Sequence, residues 1–163
     1  MAAYVGLPMT MAAVGRRQLD ATGSDCAEMT REDLLRRLEV YLDDLLVLLS
    51  SPRHRFSSLA EKDVPKASGL YVIYQENPME TLYAGKSQKS LRFRIMRNHL
   101  AYQGNDNLVR YLMKEIGGAS RLEVRTHILK LCSVHWIKVD DPERLFCLEH
   151  LAIAVTRPRF NKG

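Results

Sequence analysis

The chain has 163 residues, with 24 Lys and Arg against 19 Asp and Glu, a formal net charge of +5, and 46% hydrophobic side chains, the balance of one ordinary domain that folds in water. No run approaches the roughly 20 apolar residues of a membrane span. Three separated cysteines, Cys26, Cys132 and Cys147, with no Cys-x-x-Cys pair argue against a disulfide framework and a cysteine zinc site and point to a reducing, cytoplasmic setting.

The charge is uneven. Up to Ser68 there are nine basic and ten acidic residues, and from Gly69 onward fifteen basic and nine acidic. A basic segment fits a nucleic-acid or phosphate partner as well as a merely soluble surface. Residues 1–29 mix Ala, Gly, Met and Thr without period and lack the apolar stretch of a secretory signal, so they are expected as a flexible arm. Thr30 then offers an N-cap before Glu32 and Asp33, and Leu34, Leu35, Leu38, Leu42, Leu45, Leu46 and Leu49 recur at three- and four-residue steps. This predicts an amphipathic helix whose mixed-sign polar face suits packing on the domain or a homodimer contact. Residues 50–68, with Pro52 and Pro65, read as a connection.

From Gly69 the pattern turns to β formers: Leu70-Tyr71-Val72-Ile73-Tyr74, a turn through Asn77-Pro78, and Thr81-Leu82-Tyr83-Ala84-Gly85, a hairpin. Helices are expected over 90–102 and 105–116, the latter stopped by Gly117-Gly118, and a third strand over 121–131, with His127 in it and His135 and Trp136 in a loop beyond. Asp141-Pro142-Glu143 opens the last helix, with an acidic cap and proline in the first turn. The order predicts an α+β domain over 65–163, a small, mainly antiparallel sheet of about three strands flanked by helices, after an arm and helical extension over 1–64.

Gly85-Lys86-Ser87 invites a Walker A reading, but that loop needs a glycine five positions before its second one, where this chain has Glu80. Glu149 is conspicuous for its apolar helix neighbours Leu145, Phe146, Ala152 and Ile153. It is either half-buried and paired with an arginine, or a ligand for a hard divalent cation. Arg92, Arg94, Arg97 and His99 follow the hairpin, and from Lys86 to Leu100 no acidic residue interrupts them.

Gly69-Leu70-Tyr71, then Tyr83-Ala84-Gly85 with Ser87 behind it, an arginine-bearing helix, an isolated glutamate, and Asn161 after Pro158 together resemble the GIY-YIG endonuclease superfamily. The resemblance spans about 65–161. It implies a nuclease that cuts phosphodiester bonds, with DNA as the favoured substrate, of restriction type or of repair or mobile-element type. It further implies one Mg²⁺ or Mn²⁺ on Glu149, Tyr71 as general base or water-positioning residue, Tyr83 as a second orienting hydroxyl, and Asn161 supporting the tyrosine or arginine.

Lys86 is expected as the cation that favours a Tyr71 phenolate, since a phenol near pKa 10 is a poor base at neutral pH. Gly85, Ser87, Lys89, Arg92 and Arg97 join these as substrate-binding candidates. Arg94 matches the family's arginine best, as a bidentate phosphate clamp. A family histidine would then stand four residues on, where this chain has Asn98. His99 is one further, about 140° away around an α-helix and on a face with Arg92, so Arg92 with His99 is the alternative unless the helix is locally distorted. The other departure is Ala84. A noncatalytic nucleic-acid-binding module is the alternative function.

Overall fold

The computed structural model describes residues 29–101 and 106–161; the arm, with Arg16, Arg17 and Cys26, lies outside them apart from Met29. The chain runs α1 (Arg31–Ser50), β1 (His54–Arg55), a 3-10 turn (Glu61–Asp63), β2 (Gly69–Glu76), β3 (Met79–Ser87), a π-helix (Phe93–Leu100), α2 (Asn107–Glu115), α3 (Arg121–Leu131), β4 (Cys132–Lys138) and α4 (Pro142–Thr156). The strands form one antiparallel sheet in the order β1-β4-β2-β3. The class is α+β, as expected. Among the described residues no helix is long and apolar enough to cross a membrane.

Alternation along β2 divides the molecule into two layers around the sheet. Tyr71 and Ile73 join the π-helix, α2 and α3 through Leu91, Ile95, Leu108, Val124 and Ile128. Leu70, Val72 and Tyr74 face α1 and α4 through Leu45, Leu48, Leu145 and Leu148. Each such fully buried Leu stabilises the fold by about 1.5–3 kcal/mol relative to exposure. A bulge interrupts the hairpin, because Ile73 pairs with Tyr83 and Tyr74 with Thr81. The extra residue, Leu82, therefore shares a core face with its neighbour Tyr83.

The caps at both ends of the chain form as read. Thr30 Oγ1 accepts from the Asp33 amide at 3.1 Å while Asp33 accepts from the Thr30 amide, closing a capping box on α1. Asp141 accepts from the Arg144 amide at 2.6 Å, with Pro142 in the first turn of α4. Arg144 Nε also reaches Asp44 at 2.6 Å, tying α4 to α1.

Three expectations are corrected. Residues 121–131 are helical: the Ser120 hydroxyl accepts from the Glu123 amide and Glu123 accepts from the Ser120 amide at 2.7 Å, and Val124 and Ile128 are buried one helical turn apart. The strand is the next stretch, 132–138, so His135 and Trp136 lie in β4 and His127 in α3. The sheet has four strands, because the segment read as a connection supplies β1, with Phe56 and Val64 entering the core.

Candidate active site at the edge of the sheet

The two glycines of the hairpin are there for space. A Cβ on Gly69 would collide with the Ile137 carbonyl oxygen of β4, and one on Gly85 would stand 2.7 Å from Tyr71 Oη and 2.6 Å from the Tyr83 ring. Tyr71 pairs directly with Gly85, so the missing side chain is the room in which the phenol lies. Its ring is fully buried, 6.2 Å from that of Tyr83, and both rings pack against His99.

Arg94 and His99 converge on Tyr71. Tyr71 Oη is 2.6 Å from His99 Nε2 and accepts from Arg94 Nε at 3.2 Å. The five-residue spacing that would separate the two on an α-helix is brought into line by the π-helix, whose i→i+5 bonds include Ala101 N–H to the Met96 carbonyl. The helix distortion thus joins Arg94, not Arg92, with His99. Arg92 instead donates to the carbonyls of Val64 at 2.7 Å and Lys62 at 3.2 Å, and Arg97 pairs with Glu61 at 3.2 Å. Both fasten the 3-10 turn region to the π-helix.

Behind His99 stands Asp106, which the sequence reading did not single out. Its Oδ2 is 2.8 Å from His99 Nδ1 and 3.9 Å from Arg94 Nη1, and its Oδ1 accepts from the Val109 amide at 3.1 Å as the N-cap of α2. His99 and Asp106 are both fully buried. The available signal was the cap alone, since nothing in the spacing of His99 and Asp106 announces a contact.

Burial pushes the Tyr71 phenol above its ordinary value, more than the Arg94 charge and hydrogen bond pull it down, and Tyr83 is raised for the same reason. Burial likewise lowers His99, outweighing the Asp106 carboxylate. Asp106 lies below the usual carboxylate range: burial opposes its ionisation, but the bonds from His99 and Val109 and the charge on Arg94 prevail.

The second half of the site lies on the outer edge of β3. Glu149, on α4, accepts from the Lys86 amide at 3.1 Å with Oε1, and Oε2 is 2.7 Å from Lys86 Nζ, which also sits 4.2 Å over the Phe146 ring. Glu149 is therefore half-buried and paired, with a lysine rather than an arginine. Lys86 is not the cation beside Tyr71; Arg94 is. Alternation turns Lys86 towards the α4 layer, while Gly85 lies under the phenol. Glu149 still contributes to the raised pKa of Tyr83, so the two halves are in electrostatic reach.

Asn161 is also at this edge, but it grips backbone. Its Oδ1 accepts from the Ala84 amide at 2.9 Å and its Nδ2 donates to the Ala84 carbonyl at 2.7 Å. With Arg159 and Phe160 bonded to the Thr81 and Leu82 carbonyls, the tail lies along β3 like a further strand and covers its edge. Asn161 thus supports the strand that carries Tyr83 and Gly85 instead of bonding the tyrosine or arginine side chain.

A cleft of about 1040 Å³ opens between the 3-10 turn region and the start of the π-helix. Lys66, Lys86, Lys89, Arg92, Arg94 and Arg97 line it, against Glu61 as the acidic lining residue among those described. Ser87, also in its wall, accepts from the Ser90 amide at 3.0 Å and turns the chain into the helix.

Among the described residues there is no cluster of three or more His, Cys, Asp or Glu side chains that would cage a metal. A single-carboxylate site nevertheless fits Glu149. Each carboxylate oxygen has a second lone-pair direction beyond its bond to Lys86, and Lys86 itself borders the cleft. A hard cation held there would keep waters and take its other ligands from substrate. Comparison with known proteins finds no matching family model, no matching curated protein and no matching solved structure.

Proposed function

We propose that the chain is a metal-dependent endonuclease of GIY-YIG type that hydrolyses phosphodiester bonds in DNA. The observation that carries this reading is the convergence of Arg94 and His99 on the buried Tyr71 hydroxyl, with Arg94 also lining a cationic cleft. A phosphodiester lying in the cleft would meet Lys66 and Lys89 along its backbone and the Arg94 guanidinium at the reacting phosphate. Planar N–H donors suit phosphate oxygens and the charge that builds on them during displacement.

Tyr71 is the base for the attacking water, which has to reach a hydroxyl that the resting chain shields behind Arg94. A free phenolate is disfavoured by burial, so the phenol must pass its own proton onward as it takes one from water, and the ring nitrogen at 2.6 Å is the group within reach. Tyr83, whose ring packs beside Tyr71 and His99, would orient water or phosphate. Glu149 would hold Mg²⁺ or Mn²⁺, and a cation bound there supplies Lewis-acid stabilisation of phosphate charge and of the leaving oxygen. Ala84 costs this arrangement nothing, because it contributes backbone groups to Asn161.

The exposed Leu34, Leu35, Leu42 and Leu46 of α1 are the surface offered to a second copy, and two copies would cut both strands of a duplex. A reducing, intracellular setting suits the free thiols of Cys132 and Cys147.

The second reading, a noncatalytic nucleic-acid-binding module, draws on the ion pair that neutralises Glu149. Supercoiled and branched DNA incubated with wild type and Glu149→Ala in Mg²⁺, Mn²⁺ and EDTA tests the two. The nuclease reading expects metal-dependent nicking and linearisation that the substitution abolishes. Salt-sensitive binding without cutting in every metal overturns it in favour of the module.

A further inference from the structure

We infer that Asp106 is a positioning residue that fixes the His99 tautomer, so that the proton between Tyr71 and His99 belongs to Tyr71 and passes to the imidazole during the reaction. This rests on the nuclease reading above and goes beyond it, by naming the residue that sets the direction of the hydrogen bond.

Three buried side chains, Asp106, His99 and Tyr71, stand in contact and allow a count of their protons. An ionised carboxylate accepts and does not donate. At 2.8 Å the lone pairs of Asp106 Oδ2 and His99 Nδ1 would repel unless a proton stood between them, so Nδ1 carries the hydrogen, in a contact bent away from ideal hydrogen-bond geometry. A neutral imidazole with hydrogen on Nδ1 has a bare Nε2, because the bond made by one ring nitrogen determines the state of the other. The proton on the 2.6 Å vector from Nε2 to Tyr71 Oη is then the phenolic one. Tyr71 donates to His99, and its oxygen accepts from Arg94 Nε with one lone pair. A second lone pair is left to accept from a water that reaches this buried oxygen.

With the opposite tautomer, His99 would donate to Tyr71, and the phenolic hydrogen would have to point at the water or the phosphate, where it blocks base action. The lowered pKa of His99, set by burial, agrees with a neutral ring.

The step balances. As the oxygen of water bonds to phosphorus, its O–H bond breaks and that proton goes to Tyr71 Oη, the Tyr71 proton moves to His99 Nε2, which becomes imidazolium between the phenol and Asp106, and the P–O bond to the leaving oxygen breaks, that oxygen taking its proton from solvent water. The negative charge of Asp106 then offsets the new positive charge. The other oxygen of Asp106 caps α2 through Val109, so the carboxylate is anchored to a helix rather than to the solvent.

The test is Asp106→Asn, because asparagine preserves the cap and so keeps the fold. With its carbonyl held by the Val109 amide, its NH₂ faces His99 Nδ1 and requires the hydrogen to move to Nε2. Nitrogen-15 spectra of the histidine rings, with His99 assigned by loss of its signals in His99→Gln, read the tautomer at neutral pH without any substrate. The expected result is hydrogen on Nδ1 in the wild type and on Nε2 in Asp106→Asn. Single-turnover cleavage should fall by about 100-fold or more, within the range of a lost general base, while the DNA dissociation constant changes little.

Hydrogen on Nε2 in the wild type overturns the proposal, and so does a switched tautomer with unchanged cleavage, or lost cleavage with an unswitched tautomer. If the wild type cuts no DNA at all, the nuclease reading falls. The two spectra still decide whether Asp106 directs the Tyr71 bond.

Discussion

A second tyrosine–histidine pair lies on the opposite face of the sheet from Tyr71 and His99. Tyr74 Oη is 3.0 Å from His135 Nε2, with the Arg53 guanidinium 4.2 Å over the Tyr74 ring. His135 is fully buried in β4, and that burial, with the charges of Arg53 and His54 adding to it, lowers its pKa to about 4. The free side chain titrates near 6.5, so between these values the unfolded chain binds a proton that the folded one refuses. Stability therefore rises with pH across that window and is lost as the solution is acidified through it. From pH 7 to pH 5 this one group should cost about 2 kcal/mol. His99 and His127 are also lowered and act in the same direction. Urea denaturation at the two pH values reads the loss, and His135→Gln, which keeps a polar partner for Tyr74 without titrating in this range, should make it smaller. An equal loss in the variant would show that His135 is not its source.

The elements were legible where local signals agreed with one another. The Thr30 and Asp141 caps, the two tyrosine strands and the glycines beside them need only near neighbours, and they formed as read. Residues 121–131 misled because Val124, Thr126 and Ile128 alternate like a strand, although Val124 and Ile128 also stand one helical turn apart and Ser120 with Glu123 spells a capping box. β1 could not be foreseen: two residues carry no period, and they become a strand only because β4 passes beside them. The π-helix was legible as a conflict, an arginine and a histidine five apart where the resemblance calls for four.

That conflict makes its own prediction. Removing one residue between Arg94 and His99 restores a four-residue spacing that an ordinary α-helix serves equally well. Arg97 is the one to delete, since its ion pair with Glu61 is exposed and such a pair is worth at most about 1 kcal/mol. The shortened protein should fold and keep the Tyr71–His99 bond, and cleavage should stay within about 10-fold of wild type, whereas loss of a general base costs about 100-fold or more. A folded deletion variant with cleavage abolished would mean that the wider helix does more than align the two side chains.

For the molecule as a whole, the question is which cations would meet a nucleic acid in the cleft, and the structure separates those already engaged within the protein from others that line the cleft. Arg92 is held by two carbonyls and Arg97 by Glu61, so neither charge is offered to a phosphate in full. Lys66 and Lys89 line the same cleft. Neutralising a phosphate releases condensed counterions, and the logarithm of the DNA affinity falls against the logarithm of salt with a slope of about −0.9 per duplex phosphate contacted. Lys66→Ala and Lys89→Ala should therefore each weaken binding uniformly across sequences and reduce the steepness of that slope by about 1. Glu61→Ala should tighten binding, because it removes a carboxylate from the wall of the cleft and releases Arg97 towards the backbone. Titrations of a labelled duplex over a range of KCl concentrations, in EDTA so that nothing is cut, give all three slopes. Unchanged slopes for both lysine variants would remove the cleft as the path of the DNA; a lysine effect without the Glu61 effect would keep the path and assign Arg97 to fastening the π-helix alone.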